Sequence, residues 1–158
     1  MEKEKEIANK NLRNCSIAVE HPFKCSTPVQ LRYTDLDTHG HVNNSVYFNL
    51  FDLAKADYFG RVMGKPQDYH NVNVMIANIK CDYLAQTRFY EPVAIETQVT
   101  RLGSKSLTIV HQLVNTDTGE VKCRCSQVLV YYDTTVRATA PVPQHWRDAL
   151  EAFEGHKL

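Results

Sequence analysis

The hydrophobic repeat of this chain changes period twice, and that change limits the folds open to it more than any other feature. Val29, Leu31 and Tyr33 alternate with Gln30, Arg32 and Thr34, the period-two pattern of a half-buried strand. From Asn43 the period becomes helical: Val46, Tyr47, Leu50, Phe51, Ala54 and Tyr58 share one stripe, with Ser45, Asn49, Asp52 and Lys55 opposite. Asn43 or Asn44 supplies the cap oxygen, and Gly60, Gly64 and Pro66 stand where the helix must stop. One helix of about four to five turns is predicted.

Period two then returns and persists. Met75 to Tyr83, Val93 to Val99, Ser106 to Val114 and Val121 to Tyr132 read as four successive strands, broken by a turn at Leu102 to Lys105 and a hairpin loop at Asn115 to Glu120. Pro143, Trp146, Ala149, Leu150, Phe153 and Gly155 outline a short terminal helix and its stop. Strand, long helix, four strands and short helix make an α+β layer, a five-stranded antiparallel sheet against one helix rather than an alternating parallel sheet.

No repeat and no Gly/Ser or Pro-rich linker divides the chain, so a single domain is expected over residues 27–158, preceded by a mobile or loosely docked arm at 1–26. With 158 residues, 43% of them hydrophobic, the chain buries a core without disulfide staples. Its five cysteines are odd in number, and the charged opening MEKEKEIANKNLRN lacks the apolar stretch of a secretory signal. A reduced, cytoplasmic, soluble protein is therefore expected. Lys plus Arg equals Asp plus Glu at 18 each, so the chain has no single-sign field for nucleic acid or an anionic membrane.

Asp35, Asp37, His39, His41, Asn43 and Asn44 crowd into ten positions between the first strand and the helix. Helix-start N–H groups are unpaired and sit at the positive end of the dipole, so they stabilise a carbonyl oxygen that gathers negative charge. A carboxylate in the same loop activates water or attacks directly. The same residue types also build ordinary turns and caps, and composition alone favours that plainer reading. His39 and His41 with the aspartates offer metal ligands as well, although an H-x-H spacing is a weak signal. Cys123 and Cys125 share one strand face, where packing is the default.

The run from Arg32 to Tyr47, RYTDLDTHGHVNNSVY, resembles the R-[YFW]-x-D-x-D-x-x-G-H-V-N-N-x-x-Y signature of hot-dog-fold acyl-CoA thioesterases. These are the 4-hydroxybenzoyl-CoA thioesterase-like group, related in turn to acyl-ACP thioesterases. The resemblance runs from about Pro28 to Pro143 and implies a hot-dog fold that hydrolyses acyl-CoA to free acid and CoA without metal or cofactor. It implies Asp37 as nucleophile or general base, with His41 in a catalytic part. Gly40 would bring its amide near the thioester, and Asn43 and Asn44 would hold the loop. Tyr47 matches a tyrosine one turn into the helix. The turn Gly103-Ser104-Lys105-Ser106 resembles the segment beside the pantetheine arm, so Ser104 and Lys105 are candidate substrate contacts. Arg88 and Arg101 are weaker ones. An acyl-ACP substrate and a non-catalytic acyl-CoA-binding module are the alternatives. Unprotected sheet edges, together with the resemblance, imply a homodimer or a dimer of dimers.

Overall fold

The computed structural model describes residues 11–65 and 73–158. Residues 1–10 of the arm, and Pro66 with the polar stretch to residue 72, lie outside them. The elements are β1 (Cys25–Val29), a 3-10 turn (Tyr33–Asp35), α1 (Asn44–Met63), β2 (Val74–Tyr83), β3 (Val93–Leu102), β4 (Ser106–Asn115), β5 (Val121–Asp133), β6 (Ala138–Thr139) and α2 (Gln144–Glu154). Every strand pairing is antiparallel, in the order β1-β3-β4-β5-β2, with the two-residue β6 added to β5. The sheet wraps α1 in the hot-dog arrangement, with one more, very short strand than expected.

The helical stripe is the face that packs. Tyr47, Leu50, Phe51, Ala54, Tyr58 and Phe59 are buried against the sheet, while Leu53 on the opposite side is exposed. Asn43 is the N-cap, its side chain accepting from the Ser45 N–H, and Gly64 ends the helix in the left-handed region at φ 65°. The first strand lies earlier than the alternation suggests. β1 covers Cys25–Val29, and Tyr33 is in the 3-10 turn with 78% of its surface exposed. Pro28 is tolerated because β1 is an edge strand.

Both faces of β3, β4 and β5 are covered. Val93, Ile95 and Val99 face α1, where Cys123 and Cys125 are fully buried as packing residues. The opposite face carries a cross-strand row, Glu96–Gln112–Arg124–Asp82. Arg124 donates through Nε and Nη2 to Gln112 Oε1 at 2.9 and 2.6 Å, and Gln112 Nε2 donates to Glu96 Oε2 at 2.6 Å. The arm lies over this row. Asn11 bonds Glu120, Ser16 donates its N–H and hydroxyl to Asp82 Oδ2, Ile17 O accepts from Arg124 Nη1, and His21 O accepts from Gln98 Nε2. Buried polar groups with partners are tolerated inside a protein, and the arm's carbonyls complete the set. Strand β2 is different: it is an edge, with Met75 51%, Ile76 42% and Ile79 39% exposed.

Candidate active site

The loop between the 3-10 turn and α1 folds back on itself. Leu36 and Val42 form an isolated antiparallel bridge, Asp37 N donates to His41 O at 2.8 Å, and Gly40 N donates to Asp37 O at 3.1 Å. Gly40 sits at φ 74°, a conformation that strains any residue with a Cβ. Inside the turn, Asp37 Oδ1 accepts the backbone N–H groups of His39 (2.8 Å) and His41 (3.1 Å). Those two bonds favour the ionised carboxylate and hold its pKa below the ordinary aspartate value. Oδ2 has no partner among the described residues and is free for water or substrate.

Neighbouring segments pack against the His41–Val42 side of this loop. His41 also bridges Arg88 in antiparallel fashion, and Val42 N donates to Thr87 O at 2.9 Å, which brings the segment after β2 alongside the loop. Thr87 is buried and its hydroxyl pairs with the Tyr47 hydroxyl at 2.9 Å, so Tyr47 is fixed one turn inside α1. Tyr83 stands edge-on to Tyr47 at 5.3 Å and donates to Asn44 O at 3.2 Å. Burial pushes the Tyr83 phenol up to about 12, which keeps it protonated and able to donate. His41, Val42, Asn44, Tyr47, Tyr83 and Thr87 are among the walls of an open cleft of 330 Å³ at the start of α1.

Asp37, Gly40, His41, Asn43, Asn44, Tyr47 and Arg88 are thus brought to one end of the sheet. Two details differ from expectation. Gly40 keeps its N–H inside the turn, so the unpaired helix-start amide is that of Asn44, which has no acceptor among the described residues. Asn44 does not cap; Asn43 alone does. Ser104 and Lys105 lie at the other end, past the length of β3, whose ten residues span about 30 Å at 3.3 Å per residue. There the turn is held by Arg147, which donates to Gly103 O and Ser104 O. Tyr83 ends β2, and Gln86 and Thr87 follow it in an irregular segment; no local pattern marks the three for the site, and only their approach to the loop in space does.

Among the described residues, His21, His111, His145 and His156 are outside the loop. His111 is wholly buried beside Phe51, with Nδ1 bonded to Thr97 Oγ1 and Nε2 unpaired, and burial drives its pKa down to about 3. Among the described residues no three His, Cys, Asp or Glu side chains converge as a metal set, and no helix there is long and apolar enough to cross a membrane.

Residues 31–150 match the model of the thioesterase-like superfamily. The chain belongs to that superfamily. Among curated relatives, the uncharacterized protein YsmA of Bacillus subtilis is 32% identical over 87 residues. That alignment covers 55% of this chain and 58% of the relative, so the chain spans little more than half of that protein's length. A thioesterase from Thermus thermophilus, solved in complex with coenzyme A and zinc, is 30% identical with a TM-score of 0.78, covering 86% of this chain and 98% of its own. Slr0204, a 1,4-dihydroxy-2-naphthoyl-CoA thioesterase from Synechocystis, shares the fold alone: 14% identity and a TM-score of 0.70 over 80% of this superfamily member and 94% of its own chain.

Proposed function

We propose that this protein hydrolyses acyl-CoA thioesters. The observation that carries the proposal is the division of labour at Asp37: Oδ1 is pinned by two backbone amides while Oδ2 has no protein partner among the described residues, in the loop that leads into α1. In this reading Oδ2 orients or deprotonates water, or attacks the carbonyl itself, and the Asn44 N–H at the helix start receives the charge that develops on the carbonyl oxygen. His41 couples the two, since its amide holds the carboxylate and its body lines the cleft. Membership of the thioesterase-like superfamily and a coenzyme A-bound relative support the substrate class. A thiol-release assay over short, medium, long and aromatic acyl-CoAs is the test. Release of CoA from at least one series is expected; saturable binding without release from any would make the protein a binding module.

The proposal includes a second copy of the chain. An edge strand with exposed Met75, Ile76 and Ile79 offers both unpaired backbone groups and apolar surface. Pairing β2 with its counterpart antiparallel sets the Tyr83 end of one sheet beside the Val74 end of the other. Met75 pairs with Val130 and Val130 with Ser106, so the second copy's Gly103–Ser106 turn lies at that same end. In this pairing Ser104 and Lys105 of the second copy approach the cleft beside His41 and the start of α1. Light scattering is expected to give twice 18.1 kDa or a multiple of it; an active monomer would overturn the shared site.

A further inference from the structure

On the sheet face away from α1, a cavity of 420 Å³ is lined by three separate segments: the arm (Ala18, Glu20, His21), β3 and β4 (Gln98, Thr100, Arg101, Thr108) and the chain's end (His156, Lys157). Its size is that of a small-molecule site. Its chemistry is one-sided. Two cations, Arg101 and Lys157, face one carboxylate, Glu20, in a chain whose overall charge is zero. Neither Arg101 nor Lys157 forms an ion pair among the described residues. The His21 and His156 rings lie 3.9 Å apart at 32° and form one wall, and the Gln98 carboxamide, 1% exposed, is held at the floor by His21 O.

Arg101 is there because the backbone is bent to put it there. Along β3 the residues facing α1 are odd-numbered and those facing the arm even-numbered, so regular alternation would turn Arg101 toward the helix. A register shift between Val99 and Arg101 breaks the alternation, pairs Arg101 with Thr108 and sends it to the same side as Gln98 and Thr100. Bulges of this kind re-aim side chains next to binding sites. This one is held from inside: the Val99 N–H donates to Glu154 Oε1 at 2.9 Å, and Glu154 is itself buried and bonded to the Tyr58 hydroxyl.

We propose that this cavity is a binding site for a small organic phosphate of nucleotide-monophosphate size, separate from the cleft at the start of α1. A guanidinium fork and an ammonium match a phosphate dianion, with the Thr108 hydroxyl as a further donor and the histidine pair as a wall for a flat ring. Within one chain the cavity and the Asp37 loop lie on opposite faces and toward opposite ends of the sheet, so the two sites are separate.

The test is a titration of the full-length protein with adenosine 5′-monophosphate, followed by backbone amide NMR, with adenosine as the phosphate-free control. Saturable shifts at Gln98, Thr100, Thr108 and His156 are expected, with Arg101→Gln weakening binding about tenfold or more, the scale of one charge-assisted hydrogen bond. Asp37→Asn should leave that affinity unchanged. Arg101 is exposed and its substitution leaves the Glu154 clamp intact, so an unchanged melting curve accompanies the loss. Equal binding of adenosine, an unaltered affinity in Arg101→Gln, shifts centred on His41 and Asn44, or no saturation at about 10 mM would each overturn the site.

Discussion

The two ends of α1 are held by different physics. At its start the Asp37 loop is fixed by short backbone hydrogen bonds over a single turn, with half-exposed side chains and an open cleft beside it. At its end Tyr58 and Phe59 sit in an aromatic cluster with Trp146, Phe153 and Tyr131, closed by the buried Tyr58–Glu154 bond at 2.5 Å. Closed aromatic packing and satisfied buried polar groups hold the fold at one end, while at the other the loop ahead of the buried Tyr47 leaves a carboxylate oxygen and an amide without partners among the described residues. The molecule keeps its stability and its candidate chemistry about one helix length apart.

If that separation is real, substitutions at the two ends should fail differently. Asp37→Asn should lower turnover by about two orders of magnitude while melting barely moves. Glu154→Ala should do the reverse. It leaves the Tyr58 hydroxyl without its acceptor and the Val99 N–H with only a long contact to that hydroxyl, a loss of about 2 kcal/mol of stability by denaturant melting. Turnover per folded molecule should not change. A Glu154→Ala protein that melts normally but turns over slowly would erase the distinction between the ends.

A smaller effect sharpens it. Asn43 accepts the Ser45 N–H and hydroxyl, whereas Asn44 contributes only backbone and an exposed side chain. Asn43→Ala should remove about 1 kcal/mol of stability and loosen the loop, lowering turnover with it. Asn44→Ala should leave melting unchanged. Equal destabilisation by the two would show that the cap is shared between them.

How far the sequence could be read follows the same division. The α1 stripe, a cap at Asn43 or Asn44 and a stop between Gly60 and Gly64 were legible because a 3.6-residue repeat and capping chemistry are local properties, and the structure selects Asn43 and Gly64. Strands β3 to β5 were legible for the same reason. β1 was not: Leu31 packs into the core from a loop, so the alternation through Tyr33 mimicked a strand that in fact ends at Val29. The arm's place was hidden too, because its anchors are single atoms such as Ile17 O and His21 O on residues far away in sequence. At the site the contiguous loop was visible, but Tyr83 and Thr87 reach it from some forty residues away through pairings that no local pattern encodes.

The smallest expected effect is in the pH dependence, and it reports on Asp37 alone. Its folded-state pKa is lowered by the His41 and His39 amides, in that order. A depressed carboxylate pKa means that the ionised form is favoured by folding; any stabilisation it gives is present above the unfolded value and is lost as pH falls through the folded one. The half-exposed loop makes that contribution to melting slight, but in the proposed mechanism the ionisation governs reactivity. Turnover on a good acyl-CoA should therefore persist as pH falls through the ordinary aspartate range, with its acid limb below that range. Gly40→Ala strains the φ 74° turn that aims both amides at Oδ1, so the same limb should move up toward an unperturbed aspartate. An acid limb that stays in place in Gly40→Ala, in a protein that still folds, would show that the two amides do not set the ionisation on which turnover depends.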